Sequence, residues 1–158
     1  MKPNAIRPIV ICVYRQEEHS VAAESEDPVK QQRFYRPLGG AIEFGEYSAE
    51  TAVREFQEEL GATLTDVRYL GTLENVFTYN GQSGHEIVLV YDGRFADPSL
   101  YERSVIDGAE DSGAPIRAVW LSLAECAAPG APPVYPTGLL ELLEKSHAKT
   151  QRTPSSEF

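Results

Sequence analysis

The chain has 158 residues, 42% apolar and 24% charged, which fits one globular domain with a substantial core and excludes a disordered chain. Its 24 acidic and 14 basic residues leave a net charge of -10, which argues against a general nucleic-acid binder or an anionic-membrane binder, since both need basic surface. The N-terminal run "IVICVY" meets charge too soon to be a signal or membrane segment, so the expected location is cytoplasmic.

In chain order, "IRPIVICVYR" (6–15) is a β-branched run and reads as a core strand. "QEEHSVAAESEDPVKQQ" (16–32) is polar, contains Pro28 and reads as an exposed loop. "RFYRPLGGAIEF" (33–44) reads as two short strands punctuated by Pro37 and the Gly39-Gly40 pair. Gly45 breaks that run, and Ser48 is the expected N-cap of a helix over 49–60 that stops at Gly61. Residues 65–95 read as two strands forming a hairpin around an Asn80–Gly84 turn.

Further along, "DPSLYERSVIDGAEDSGAP" (97–115) reads as an acidic mobile loop with one helical turn. "IRAVWLSL" (116–123) reads as a strand with Trp120 buried, and "YPTGLLELLEKSH" (135–147) as an amphipathic helix. Residues 1–147 form the expected domain, and 148–158 a frayed tail. Cys12 and Cys126 lack CxxC spacing and read as reduced core thiols, a single bridge between them being the less favoured alternative. Strands, one central helix, more strands and a terminal helix imply an α/β fold with helices packed on a mixed sheet.

The central helix poses a physical question. Its apolar positions 49, 52, 53, 56 and 60 fall within about 100° of arc, as expected for a core face. Glu55, Glu58 and Glu59 cluster on an adjacent face, where each like-charged neighbour pair costs roughly 0.2–0.5 kcal/mol. They also stand near the negative end of the helix dipole, a further penalty of about 0.3–1 kcal/mol per charge. Something outside the helix should offset this repulsion.

Extending the stretch backwards gives "GGAIEFGEYSAETAVREFQEELGA". Gly40, Glu46, Arg54, Glu55, Glu58, Glu59 and Gly61 stand in fixed register, and Phe56 and Ala62 fill the two apolar positions. This resembles the Nudix box, GX5EX7REUXEEXGU, the signature of the Nudix hydrolases. The resemblance covers most of the chain and implies a loop–helix–loop carried by an α/β/α sandwich. It also implies a divalent cation, Mg²⁺ or alternatively Mn²⁺, and cleavage of the pyrophosphate in a nucleoside diphosphate linked to another moiety. On that resemblance Glu55, Glu58 and Glu59 ligate the metal with the carbonyl of Gly40, and clustered carboxylates become ligands for a hard dication. Glu58, Glu59 and Arg54 are the expected catalytic residues, and Glu46 and Gly61 give structural support, Glu46 by pairing with Arg54.

Outside the box the resemblance offers further candidates. Some Nudix enzymes take their base from a later acidic loop, so the base is Glu58, Glu59 or one of Glu102, Asp107, Glu110 and Asp111. Against that, a solvated acidic loop is the commoner use of such residues. Arg36 before "PLGG" is a candidate phosphate contact, or equally a strand-edge arginine. Tyr79, seventeen residues past the box, resembles the base-stacking tyrosine of the family's diadenosine polyphosphate hydrolases. His85 reads as a hydrogen-bonded structural histidine. No proline lies between Pro37 and Pro98, so the proline of ADP-ribose-cleaving members is missing, as are the longer motifs of the NADH- and coenzyme A-cleaving branches; this lowers those substrates without choosing among nucleoside triphosphates, dinucleoside polyphosphates and nucleotide sugars. The expected partners are small nucleotide-derived substrates, without membrane or general nucleic-acid binding; the family often dimerises, so a homodimer is an expected assembly. The rival expectation is a non-catalytic Nudix domain that binds a nucleotide as a sensor, and lost box carboxylates would favour it.

Overall fold

A computed structural model of the chain describes residues 4–16 and 18–152, with side chains described through residue 146. Among the described residues eight strands fall into two sheets. They are β1 (Ile6–Cys12), β2 (His19–Asp27), β3 (Gln32–Arg36), β4 (Gly39–Ala41), β5 (Leu64–Tyr79), β6 (Gln82–Phe95), β7 (Val105–Ala109) and β8 (Pro115–Ser122). The helices are α1 (Ser48–Leu60), a short α2 (Leu123–Cys126) and α3 (Leu139–Arg152), and a 3₁₀ turn spans Pro98–Glu102.

One sheet has the order β4-β1-β6-β5, with β1 parallel to β6 and the other pairs antiparallel. The second has the order β3-β2-β8-β7 and is antiparallel throughout. The α/β layering follows the sequence expectation, with the strands divided between two sheets. β1 explains the division. It is covered on both faces, so it reads as an unbroken apolar run and not as an alternation. Ile9, Ile11 and Val13 pack with Val88, Val90 and the α3 residues Leu139 and Leu143. Val10, Cys12 and Tyr14 face the other way, into a core shared by Ala52 and Phe56 of α1 and by Val21, Ile116 and Ala118 of the second sheet. Helix α1 is thereby held where the two sheets meet.

Several expectations change. Residues 16–32 are not a loop: β2 spans His19–Asp27 between β3 and β8, with Ser20, Val21 and Ala22 buried. Its polar residues disguise a central strand because several of them are satisfied by neighbours, as when Ser20 Oγ donates to the Val13 carbonyl. Residues 97–115 are not one loop either; they contain the 3₁₀ turn and β7. The hairpin turn is tighter than expected, because Asn80 and Gly81 both take positive φ (50° and 73°) and pairing resumes at Gln82.

The N-cap of α1 is Tyr47, one residue before Ser48. Glu50 Oε2 accepts from the Tyr47 amide at 3.1 Å, the reach-back half of a capping box, while Ser48 Oγ bonds Tyr91 Oη at 2.6 Å. Trp120 is half-buried, its Nε1 donating to the Leu100 carbonyl at 3.4 Å. Cys12 is buried and Cys126 only partly so; both are free thiols. Helix α3 continues to Arg152, so residues 148–152 of the expected tail are helical, and 153–158 lie outside the described residues. Among the described residues no helix is long and apolar enough to cross a membrane.

Candidate active site

The site begins with the way α1 is anchored. Gly61 closes the helix in the left-handed conformation (φ 63°), its amide donating to the Gln57 carbonyl and that of Ala62 to the Phe56 carbonyl. With Ala52 and Phe56 fixed in the core, the next turn brings Glu55 into a buried position and Glu59 to its edge. Gly40 of β4 lies directly against Glu55: a Cβ added there would fall 2.3–2.7 Å from the carboxyl atoms. On the other side β7 presses against the end of α1, since a Cβ on Gly108 would fall 2.2 Å from the Glu59 carbonyl oxygen. Two glycines in separate strands thus let the backbone close around one helical turn.

Arg54 organises the carboxylates. Its Nε donates to Glu46 Oε2 at 2.8 Å and its Nη2 to Glu46 Oε1 at 3.0 Å, while Nη1 reaches Glu55 Oε1 at 2.9 Å and Glu58 Oε2 at 3.2 Å. Nη2 also donates to the Ala41 carbonyl at 3.2 Å, tying helix to strand. Hydrogen bonds from Arg54, then from Thr51, hold the Glu46 carboxyl down at about 2. Glu55 is pushed up by burial, which Arg54 only partly offsets.

Glu59 behaves differently. Burial pushes its carboxyl up to about 8, and the charges of Glu55, Glu110, Asp111 and Glu58 push the same way. Its Oε2 is buried with no hydrogen-bond partner among the described residues. An unpartnered buried carboxylate oxygen among other acids is an energetic liability that a cation would relieve. Among the described residues no three His, Cys, Asp or Glu side chains are gathered around one point as metal ligands, and Arg54 pairs with Glu55 and Glu58. The donor set still suits a hard dication, being carboxylate oxygens with the Gly40 backbone alongside.

A cleft of about 1410 Å³ joins Glu59 of this turn to some of the other candidates. Gly40, Glu59 and Glu110 line it together with Arg36 and Tyr79, so residues far apart in sequence share one wall. Glu55, Glu58, Glu46, Arg54 and Gly61 are not among its lining residues, and neither are Glu102, Asp107 and Asp111. Of the loop acids, only Glu110 and Asp111 act electrostatically on Glu59. Arg36 is not a free strand-edge arginine: its Nη2 bonds Glu86 Oε2 at 3.0 Å. Tyr79 packs edge-on against Phe34, which in turn meets Tyr135, with ring centroids 6.0 and 5.5 Å apart. His85 Nε2 lies 2.7 Å from Glu74 Oε1, as a structural histidine would.

Sequence reasoning passed over Glu86, which is buried and paired with Arg36 and, at 3.9 Å, with Arg7. A signal was present, since Glu86 falls in phase with the buried Val88 and Val90 on a strand of period two. Thr51, whose hydroxyl donates to Glu46, was likewise hidden among helix residues.

With this geometry in place the chain can be compared with known proteins. A family model of the NUDIX domain matches residues 5–139. The chain belongs to the NUDIX family. Its class of activity is that of a Nudix pyrophosphohydrolase. Among solved structures it is similar to a NUDIX hydrolase from Nitrosomonas europaea, with 23% identity over 92% of this chain and 90% of that one, at a TM-score of 0.65. It is also similar to a MutT NUDIX hydrolase from Burkholderia pseudomallei (17%, 89% and 98%, TM-score 0.57). A third likeness is to an ADP compounds hydrolase (20%, 96% and 77%, TM-score 0.59). At these identities the solved structures speak for the fold alone. Comparison with curated protein sequences gives no match.

Proposed function

We propose that this Nudix protein hydrolyses the pyrophosphate bond of a nucleoside diphosphate linked to another moiety, such as a nucleoside triphosphate, a dinucleoside polyphosphate or a nucleotide sugar. Mg²⁺, or Mn²⁺ in its place, is the cofactor on this reading. The observation that carries it is the Glu59 carboxylate, whose buried Oε2 has no hydrogen-bond partner among the described residues and which lines a large cleft together with Glu110. Glu55, Glu58, Glu59 and the Gly40 carbonyl would hold the cation, which when bound would neutralise the pyrophosphate and acidify a water.

The chain's own residues supply the rest. Arg54 fixes the loop of Glu46 against α1 and keeps Glu55 and Glu58 oriented between catalytic events. The proton from the attacking water goes to Glu58 or Glu59, and Glu110 and Asp111 are the loop acids best placed to assist. Glu102 and Asp107 do not line the cleft and, unlike Asp111, are not among the charges that raise Glu59. Arg36 would meet a substrate phosphate and Tyr79, beside Phe34, a base or sugar. The reading carries a cytoplasmic setting and admits a homodimer.

Purified protein with Mg²⁺ would be screened against nucleoside triphosphates, dinucleoside polyphosphates, ADP-ribose, NADH and nucleotide sugars, products being identified by chromatography. Cleavage of one class, lost in Glu58→Gln and without metal, is the expected result. Tight nucleotide binding with no cleavage of any substrate would replace the enzyme by the sensor.

A further inference from the structure

Three arginines take no part in the site above, and they meet at the end of the mixed sheet. We propose that Arg15, Arg68 and Arg94 form a second, separate binding site for a compact phosphate dianion. They line a pocket of about 320 Å³ with Asp66, Asp92 and Gly93, and none of these residues lines the large cleft. In a chain of net charge -10, this pocket sets three cations against two carboxylates.

The backbone builds the cluster. The β5–β6 register slips between Thr65 and Arg68, where Asp66 takes the left-handed φ of 51°. Such a bulge re-aims the side chains that follow it. It places Arg68 opposite Asp92, with Arg94 two residues further along β6. Gly93 points into the core, because a Cβ there would lie 2.8 Å from Leu64 Cδ1 and 3.3 Å from Cys12 Sγ. Asp92 and Arg94 therefore share the opposite face, on which Arg15 Nη1 reaches the Leu143 carbonyl of α3 at 3.2 Å.

Asp92 acts as the orienter. Its Oδ1 accepts from the amides of Arg15 (3.1 Å) and Gly93 (3.0 Å), while Oδ2 lies 3.3 Å from Arg68 Nη2 and 3.5 Å from Arg15 Nη2. One carboxylate cannot balance both guanidiniums, and Arg94 has no ion-pair partner among the described residues. Arg15 matters most. Its side chain is only 9% exposed, and its Nε is buried with no hydrogen-bond partner among the described residues. A buried donor on a charged group is costly to leave unmade. That atom is closed to solvent, so a phosphate would answer the excess positive charge through the exposed Arg68 and Arg94, whose guanidinium forks match phosphate geometry.

The test is an amide-resolved NMR titration of the full chain, in chelator and without Mg²⁺, with inorganic phosphate in one arm and a nucleoside monophosphate in the other. Saturable shifts at Gly93, Arg94 and Arg15 are expected. Affinity should fall by roughly tenfold or more in Arg68→Ala/Arg94→Ala, two exposed positions whose loss leaves the core intact, and should be unchanged in Arg33→Ala, an exposed arginine that lines neither the cleft nor this pocket. Tighter binding of the monophosphate at the same amides would identify a phosphate ester as the ligand, and equal or weaker binding the free ion. No saturable shift at these amides, equal affinity in the double variant, or loss of binding in Arg33→Ala would each overturn the site.

Discussion

Arg54 grips Glu46 side-on, Nε to Oε2 at 2.8 Å and Nη2 to Oε1 at 3.0 Å, and this pair fastens the loop before α1 to the helix. Those hydrogen bonds, with that of Thr51, hold the Glu46 carboxyl at about 2 against an ordinary 4.5. A depressed folded-state value means that the contribution to stability is complete above the unfolded value. It is lost as pH falls from about 4.5 toward 2. Melting temperature measured across that window should drop steeply in the natural chain and more gently in Glu46→Gln. Identical slopes would show that the pair contributes nothing to acid stability.

Gly40 is the second point of control, because its bare backbone faces the Glu55 carboxyl. In Gly40→Ala the new methyl would occupy the position of that carboxyl, at 2.3 Å from its carbon. Glu55 is buried and can move only by leaving its place beside Arg54. The expected outcome is a folded protein with Mg²⁺-dependent turnover reduced by roughly tenfold or more. Unchanged kinetics in the variant would remove the Gly40–Glu55 contact from the active arrangement.

Glu59 gives a prediction of the opposite sign. Its carboxyl is raised by burial, and by Glu55 before the other acids, to about 8. The folded protein therefore binds a proton more tightly than the unfolded chain. Without metal, stability should decline as pH rises from about 4.5 through 8. Glu59→Gln should remove that decline and melt higher than the natural chain at pH near 8, while losing turnover. Thermal melts in chelator, repeated with Mg²⁺, check this. Added Mg²⁺ should raise the melting temperature of the natural chain more than that of the variant.

How much of this could be read in the sequence depends on range. The box residues were legible because their register is local: Gly61 caps the helix it ends, and Arg54 meets Glu46 and Glu58 across one loop and one helical turn. Helix α1 was legible by its period. β2 was not, because its residues "HSVAAESED" carry little apolar patterning and its pairing is set by β3 and β8, the latter about a hundred residues away. β7 was hidden by its acidic surroundings for the same reason. The cleft wall was least legible of all, since Arg7 and Glu86 meet when β1 pairs with β6, and Arg36 reaches Glu86 from β3 of the other sheet.

That wall supplies the last prediction. Arg36 has two roles in this reading, neutralising Glu86 at 3.0 Å and meeting a substrate phosphate, and one variant would confound them. Arg36→Ala should raise KM with a smaller effect on kcat. It should also cost about 1–3 kcal/mol of stability, because the Glu86 side chain, 3% exposed, would keep only the longer contact to Arg7 at 3.9 Å. Adding Glu86→Gln removes the buried charge. Stability should then return toward that of the natural chain while KM stays high. If KM recovers together with stability in the double variant, Arg36 serves only to neutralise Glu86, and the phosphate contact must be sought elsewhere along the cleft.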